Sequence, residues 1–199
     1  MITGNNSGQN TEHSFNFRIT SDGVVSQKFK SMGITDFEGA ADFIRQLPFR
    51  RNENKENLMT LFTDGCGTCG TKHALLKQLA DENAATGIKL KLGIFKMNGV
   101  NAPAIAATLK QHYLGYIPEA HNYLSFGDQM LDYTWANHQI PDFKDYLLAE
   151  CEISPEQITA FKVTHHKSFL AQWLKDEQLP VSLEQLWSIR EDCIRDLSK

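Results

Sequence analysis

Two cysteines lie three positions apart in the stretch FTDGCGTCGTKHALL, which occupies residues 62–76. Cys66 and Cys69 stand among glycines and threonines, just before a pattern typical of a helix. A Cys-x-x-Cys pair in this context has three candidate chemistries: a redox couple, part of a metal site, or a nucleophile beside a second thiol. The function of the chain depends on which of the three applies.

A redox couple is the first interpretation of these thiols. A strand followed by Cys-x-x-Cys at the N-terminus of a helix is the thioredoxin arrangement. The segment LMTLFTDGCGTC fits it, with Cys66 as the redox partner of Cys69, and Pro118 would be the proline that faces the pair. This hypothesis predicts a thiol-disulfide oxidoreductase.

A metal site is the second interpretation. Cys66, Cys69 and His73 supply three ligands at short spacing, and His121 is a candidate for the fourth. Structural zinc sites usually combine two paired ligand clusters, whereas this chain has a single Cys-x-x-Cys. We therefore expect that neither a metal nor an organic cofactor is required.

The third interpretation makes Cys69 a nucleophile. A thiol attacks as the thiolate, and its ordinary pKa of about 8.5 leaves little thiolate at neutral pH. The N-terminus of a helix, where the pattern places Cys69, favours the anion, and an adjacent imidazole does the same. We expect an oxyanion to be bound by the backbone N–H groups of Gly67, Thr68 and Cys69, or by the side chain of Asn52.

The imidazole and its orienting acid are expected in a hairpin. HNYLSF and MLDYTW flank a GDQ turn, so His121 and Asp132 lie at near-opposite positions of two antiparallel strands. Side chains at such positions approach to about 5 Å. An aspartate beside a histidine fixes the tautomer of the ring and stabilises the imidazolium, so Cys69, His121 and Asp132 form a candidate catalytic triad.

The segments GTCGTKHALL, LGIFKMN, IPEAHNYL and LDYT together resemble a bacterial family of uncharacterised proteins with a transglutaminase-like, papain-related core. The resemblance covers roughly residues 35–135, and WSIREDCI near the C-terminus is similar too. It implies Cys69 as nucleophile, His121 as base and Asp132 as its orienting acid. The family pattern has Ser where this chain has Gly70, and Cys66 lies outside that pattern.

The elements that must position these residues follow from local patterns. ITDFEGAADFIRQLPF predicts a helix capped by Thr35 and ended by Pro48. A helix is expected over residues 69–82 with Gly87 after its end, then a strand over 88–97, where apolar and lysine residues alternate. FNFRITSDGVVSQK predicts a hairpin or extended segment. After Pro141 the chain is predicted to be helical to its end.

These patterns predict an α+β protein with a mostly antiparallel sheet packed on the helix that carries the nucleophile. We expect a disordered tail over 1–14, a transglutaminase-like core over 15–140 and a helical C-terminal extension over 141–199. No stretch resembles an export signal, which favours the cytoplasm. The formal charge of −4 gives no reason to expect a nucleic-acid partner, and no apolar run is long enough for a membrane span.

The expected partner is an unidentified peptide, amide or ester, and the expected activity is that of a peptidase, amidase or transamidase. Two other functions remain open at this stage. One is the thioredoxin-like oxidoreductase that would use Cys66 and Cys69, and the other is an inactive binding module of the same fold. The oligomeric state has no signature in the sequence.

Overall fold

The computed structural model describes residues 15–136 and 143–197, so the tail predicted over 1–14 falls outside the described residues. The class is α+β, as predicted. The described helices are α1 (Val24–Ser31), α2 (Phe37–Gln46), α3 (Thr60–Asp64), α4 (Cys69–Glu82), α5 (Ala106–Gln111), α6 (Ala160–Asp176) and α7 (Leu183–Leu197). Each of them is too short or too polar to cross a lipid bilayer.

One sheet organises the described residues. Its strands are β1 (Ile88–Met97), β2 (Ile117–Phe126), β3 (Gln129–Leu131) and β4 (Leu147–Ile153). They run antiparallel in the spatial order β3-β2-β1-β4. The predicted strand over 88–97 is confirmed to the residue. Buried apolar and half-buried lysine side chains alternate from Ile88 to Leu92, and residues 92–95 are all buried.

Helix α4 is the element that fixes the site against the sheet. It begins at Cys69 and ends at Glu82, as predicted, and it packs on β1 and β2 on one side and on α1 and α2 on others. Every residue from Cys69 to Leu76 is buried. A helix enclosed on nearly all sides holds its first residue in one place. Its end differs from the prediction, since Asn83 rather than Gly87 follows the last turn.

The hairpin of β2 and β3 is confirmed, but its register differs from the expected one. Leu124 pairs with Leu131 and Phe126 with Gln129, around a turn in which Gly127 has a φ of +54°. Continued along the strands, this register sets Asp132 opposite Tyr123 rather than opposite His121. Asp132 also comes directly after the last residue of β3, so it leaves the sheet edge with freedom to turn toward its diagonal neighbour.

The segment predicted to be a hairpin or extended is helical from Val24 onward, where α1 begins. Glu82, at the end of α4, accepts hydrogen bonds from the backbone N–H groups of Val25 and Ser26, at 3.0 and 2.7 Å. A Cβ atom on Gly23 would lie 2.2 Å from the Glu82 side chain, so only glycine allows this approach. The carboxylate caps α1 from a distant part of the chain, and α1 therefore has no cap of its own in the local sequence.

Helix α2 is confirmed with a one-residue shift of its cap. Asp36, not Thr35, is the N-cap, and its side chain accepts from the backbone N–H of Gly39 at 2.9 Å. The helix ends at Gln46, two residues before Pro48.

The segment after Pro141 is not helical throughout. Leu147–Ile153 forms β4, which pairs with β1, with Leu92 opposite Cys151. The residues assigned to a helical extension therefore complete the sheet, and the boundary at 140 cuts through it. Helices α6 and α7 agree with the prediction for the rest of this segment.

Candidate active site

Cys69 is the first residue of α4, and its position is set by a pair of threonines. Thr68 is the N-cap, and Thr71 donates and accepts across it: the Thr68 backbone N–H lies 3.0 Å from Thr71 Oγ1, and the Thr71 N–H lies 3.4 Å from Thr68 Oγ1. Such a reciprocal cap fixes the first turn of a helix. The thiol therefore stands at the positive end of the α4 dipole.

His121 lies on β2, opposite Gly93 of β1. Its Nε2 lies 2.9 Å from Oδ2 of Asp132, and the ring shares a cavity with Cys69, to whose thiol it is electrostatically coupled. Because Nε2 is engaged with Asp132, Nδ1 is the ring nitrogen left for proton transfer. The edge-to-face packing of Phe143, with ring centroids 4.8 Å apart, holds the imidazole in this orientation.

Asp132 is anchored independently of the histidine. Its Oδ1 accepts hydrogen bonds from the backbone N–H and the hydroxyl of Thr134, at 2.9 and 2.5 Å. Burial acts to raise the pKa of Asp132, but the charge of His121 and these hydrogen bonds outweigh it and hold the pKa well below its ordinary value. The side chain is therefore a carboxylate aimed at the imidazole.

The three predicted residues are thus brought together, and their charges are set by one another. Burial opposes ionisation of Cys69, yet Lys162 and His121 lower the pKa of its thiol to about 6. Burial also disfavours a charged His121, yet Asp132 and Cys69 raise the pKa of its ring to about 10. Between these values the pair exists as thiolate and imidazolium.

Lys162 is a member of the site that the sequence did not predict. It comes from the first turn of α6, and its Nζ lies 3.6 Å from the Cys69 sulfur and 2.7 Å from Oδ1 of Asn122. No carboxylate among the described residues forms an ion pair with it. The ammonium group is therefore left to stabilise the thiolate.

Asn122, next to His121, is the second unpredicted member. Its backbone helps to lower the pKa of the Cys69 thiol. Its side chain is fully buried, donates from Nδ2 to the Lys91 carbonyl at 3.1 Å and accepts from Lys162 through Oδ1. The amide therefore aims the ammonium group at the sulfur.

His73 is a structural histidine. The backbone N–H of Tyr133 donates to its Nε2 at 2.8 Å, so the proton is on Nδ1, which donates to the Cys69 carbonyl at 2.8 Å. Burial lowers the pKa of His73 to about 4, so its 3.4 Å contact with Asp132 is not an ion pair. With both nitrogens engaged, His73 has none left for the metal site considered above, and no group of three metal-ligating side chains occurs in the described ranges.

Lys72 ties the same elements together from the other side of α4. It is fully buried, and its Nζ donates to the carbonyls of Leu47 and Thr134, at 2.6 and 2.7 Å. Burial lowers the pKa of Lys72 to about 8. Lys72 and His73 thus connect the helix that carries Cys69 to the segment that carries Asp132.

The oxyanion donors differ from the expected set. The N–H of Gly67 is used by the Pro48 carbonyl at 3.1 Å, and that of Thr68 by Thr71. Asn52 donates from Nδ2 to Asp64 at 3.0 Å and to the Cys66 carbonyl at 2.9 Å, so both its amide hydrogens support the loop before α4. Of the predicted donors, the N–H of Cys69 alone has no acceptor within the described parts of the chain.

Cys66 is buried, and its sulfur accepts a hydrogen bond from Nε of Arg50 at 3.4 Å. Neither Cys66 nor Cys69 is in a disulfide. The segment before them forms the short helix α3, not the strand that a thioredoxin-like pair requires. The redox interpretation therefore loses the local structure on which it was based.

A cleft of about 470 Å³ opens at the thiol. Its walls come from the loop before α4, from β2, and from α6 and α7, with Trp187 as the largest aromatic side chain. A second cavity of about 70 Å³ also reaches Cys69 and is lined mainly by apolar side chains, among them Phe95, Met97 and Phe143. Cys69 therefore lies where a bound molecule can reach it from the larger cleft.

Comparisons of this chain with family models, with curated proteins and with solved structures found no match.

Proposed function

We propose that this protein is a cysteine-dependent acyl-transfer enzyme with a transglutaminase-like, papain-related core. The single observation that supports it best is the connected series Cys69–His121–Asp132, in which a thiol with a pKa of about 6 starts a buried helix beside a cleft. A thiol whose pKa is strongly shifted by a specific charged partner, and which lies in a cleft, is typical of an active site.

The proposed reaction begins with attack by the Cys69 thiolate on the carbonyl carbon of an amide or ester. A carbon–sulfur bond forms, and the carbonyl π electrons move to oxygen. The N–H of Cys69 and the ammonium group of Lys162 stabilise this oxyanion, since Nζ lies 3.6 Å from the sulfur. The His121 imidazolium then gives its proton to the leaving amine or alkoxide as the scissile bond breaks.

The acyl group now rests on sulfur as a thioester. Neutral His121 removes a proton from water or from an amine as that molecule attacks, and the thioester bond breaks to release the acid or the new amide. The sulfur leaves as thiolate and the ring retains the proton, so the ion pair is restored. Asp132 stays ionised and stabilises the imidazolium throughout.

Alkylation tests this proposal directly. At pH 6, iodoacetamide should modify Cys69 faster than Cys66, Cys151 or Cys193, as peptide mass spectrometry would measure, and His121→Ala should slow it. Equal rates at all four thiols would remove the basis for a nucleophile. A reactive Cys69 in a chain that forms no thioester with activated esters would instead support an inactive binding module of the same fold.

A further inference from the structure

The charges around the cleft point to the kind of substrate, an inference that rests on the proposed function. We propose that the cleft selects an amide or ester that carries a negatively charged group, a carboxylate or a phosphate, near its scissile carbonyl. Six cationic side chains line the cleft against two carboxylates; the cations are Arg50, Arg51, Lys55, Lys162, Arg190 and Arg195. The whole chain has a formal charge of −4, so this excess is local.

The two carboxylates of the cleft are already neutralised. Glu119 is buried, and its carboxylate accepts a hydrogen bond from Nε of Arg190 at 2.8 Å. It accepts a second hydrogen bond from Nη2 of the same guanidinium group. The carboxylate of Glu191 accepts hydrogen bonds from Nη2 of Arg51 at 2.7 Å and from Nη1 of Arg190 at 2.6 Å. Neither acid is left to repel an anion that enters the cleft.

Arg50, Lys55 and Lys162 are the cations of the cleft that form no ion pair within the described residues. Lys162 is committed to the Cys69 thiolate and Asn122. Arg50 and Lys55 belong to the loop before α3, and no carboxylate of the described residues forms an ion pair with either charge. Both line the cleft that opens at Cys69.

The pKa of Lys55 reflects the repulsion among the cations of the cleft. Partial burial lowers its pKa, and Arg51, Lys162 and Arg190 lower it further through like charge. A bound carboxylate or phosphate would relieve this repulsion and would gain charge-assisted hydrogen bonds from the same groups. A neutral substrate would leave it in place, so the cleft discriminates in favour of anions.

Two alkylating agents of similar size separate recognition of charge from reactivity of the thiol. Iodoacetate carries a carboxylate and iodoacetamide does not. At pH 7.5 and low salt, Lys55→Met and Arg50→Met should each slow carboxymethylation of Cys69 by iodoacetate at least about threefold. The rate with iodoacetamide should stay unchanged. Lys55→Arg should keep the wild-type rate, and so should Lys110→Met, which removes an exposed lysine on α5.

Direct binding provides a second measurement that does not depend on reactivity. Succinate and inorganic phosphate are titrated separately into the wild-type chain and into Lys55→Met by calorimetry, and the stronger ligand identifies the anionic group. Binding weakened by Lys55→Met and by 0.5 M salt is expected. The proposal is overturned if neither anion binds, or if both variants leave the iodoacetate rate unchanged.

The two hypotheses fail in different ways. Slow iodoacetamide modification of wild-type Cys69 contradicts the acyl-transfer proposal, whatever the anions do. Fast modification without any effect of Lys55→Met or Arg50→Met contradicts the anion proposal alone.

Discussion

The ammonium nitrogen of Lys162 lies 3.6 Å from the sulfur of Cys69, although 93 positions separate the two residues in the chain. The imidazole of His121 approaches the same sulfur from β2. A thiolate between two cations differs from the simple Cys-His pair that the sequence suggests. Its acidity depends on both partners, and each contribution can be measured separately.

Lys162→Met should raise the pKa of Cys69 from about 6 toward its ordinary value of 9.0, because Lys162 is the largest of the influences that lower it. We expect a rise of roughly one unit. The pH dependence of iodoacetamide modification measures the shift. Lys162→Arg should restore most of the acidity, and Lys175→Met, on the exposed side of α6, should leave the profile unchanged. An unchanged midpoint in Lys162→Met would mean that His121 alone sets the pKa.

Activity should follow a bell-shaped pH profile. It should rise near pH 6, where the Cys69 thiol loses its proton, and fall near pH 10, where the His121 imidazolium loses its proton. Asp132→Asn removes the largest influence that raises the pKa of His121. The upper limb should move to lower pH and kcat/KM should fall at least about tenfold. Hydrolysis of p-nitrophenyl esters provides the measurement. Asp128→Asn, in the hairpin turn, is the matched control and should change neither quantity.

Cys69→Ser should alter how stability depends on pH. His121, whose pKa rises from 6.5 to about 10, stabilises the fold fully below pH 6.5 and loses this effect as pH rises toward 10. Cys69, whose pKa falls from 9.0 to about 6, stabilises it above pH 9 and loses this effect as pH falls toward 6. Between pH 6.5 and pH 9 the two residues therefore change the free energy of unfolding in opposite directions as the pH rises.

In Cys69→Ser only His121 still makes the free energy of unfolding depend on pH in this range. Asp132 still holds the pKa of the His121 ring above 6.5 in the folded protein. The variant should lose stability relative to wild type above pH 6.5, by up to about 1.4 kcal/mol per pH unit. Urea unfolding at pH 6.5, 7.5 and 8.5 measures the difference. Parallel curves for the two proteins would show that folding does not lower the pKa of the Cys69 thiol.

Lys72→Met should destabilise the fold by roughly 2–4 kcal/mol, because the buried carbonyls of Leu47 and Thr134 lose their donor. Activity should fall as well, since the Asp132 segment is held through Thr134. Lys77→Met, on the same helix but paired with Asp81, should cost less than about 1 kcal/mol. Denaturant unfolding and ester hydrolysis are measured on both variants, and equal losses would contradict the role of Lys72.

Cys66→Ser separates acyl transfer from disulfide chemistry. Cys66 contacts Arg50 and not the triad, so ester hydrolysis should stay within about twofold of wild type, whereas an oxidoreductase needs both thiols. Insulin reduction is measured in parallel. Activity toward insulin that survives His121→Ala and disappears in Cys66→Ser would favour the oxidoreductase instead.

The parts of the fold that follow from local patterns were predicted well. Helix α4 starts at Cys69 because Thr68 caps it, and β1 is recognisable because buried apolar and half-buried lysine side chains alternate from Ile88 to Leu92. Helix α1 was missed because its cap, Glu82, comes from 56 positions away. The strand β4 was missed although Leu147, Ala149, Cys151 and Ile153 alternate with exposed residues, a signal that was present in the sequence.

The same distinction holds for the site. The proximity of Cys69, His121 and Asp132 could be predicted from residue type and approximate spacing, although the predicted hairpin register was wrong by two residues. Lys162 and Asn122 have no local signature, because their roles arise from the packing of α6 against β2. Asn52 was misassigned because the sequence does not reveal that Asp64 and Cys66 use its amide hydrogens.

The delivery of Lys162 by α6 has a consequence for the newly made protein. A ribosome that has synthesised the chain as far as Ile153 has already produced Cys69, His121 and Asp132, together with every strand of the sheet. The nascent polypeptide still lacks the ammonium group, so its thiol is less acidic than that of the finished molecule. The thiol reaches its low pKa only when α6 has been synthesised and has packed against β2.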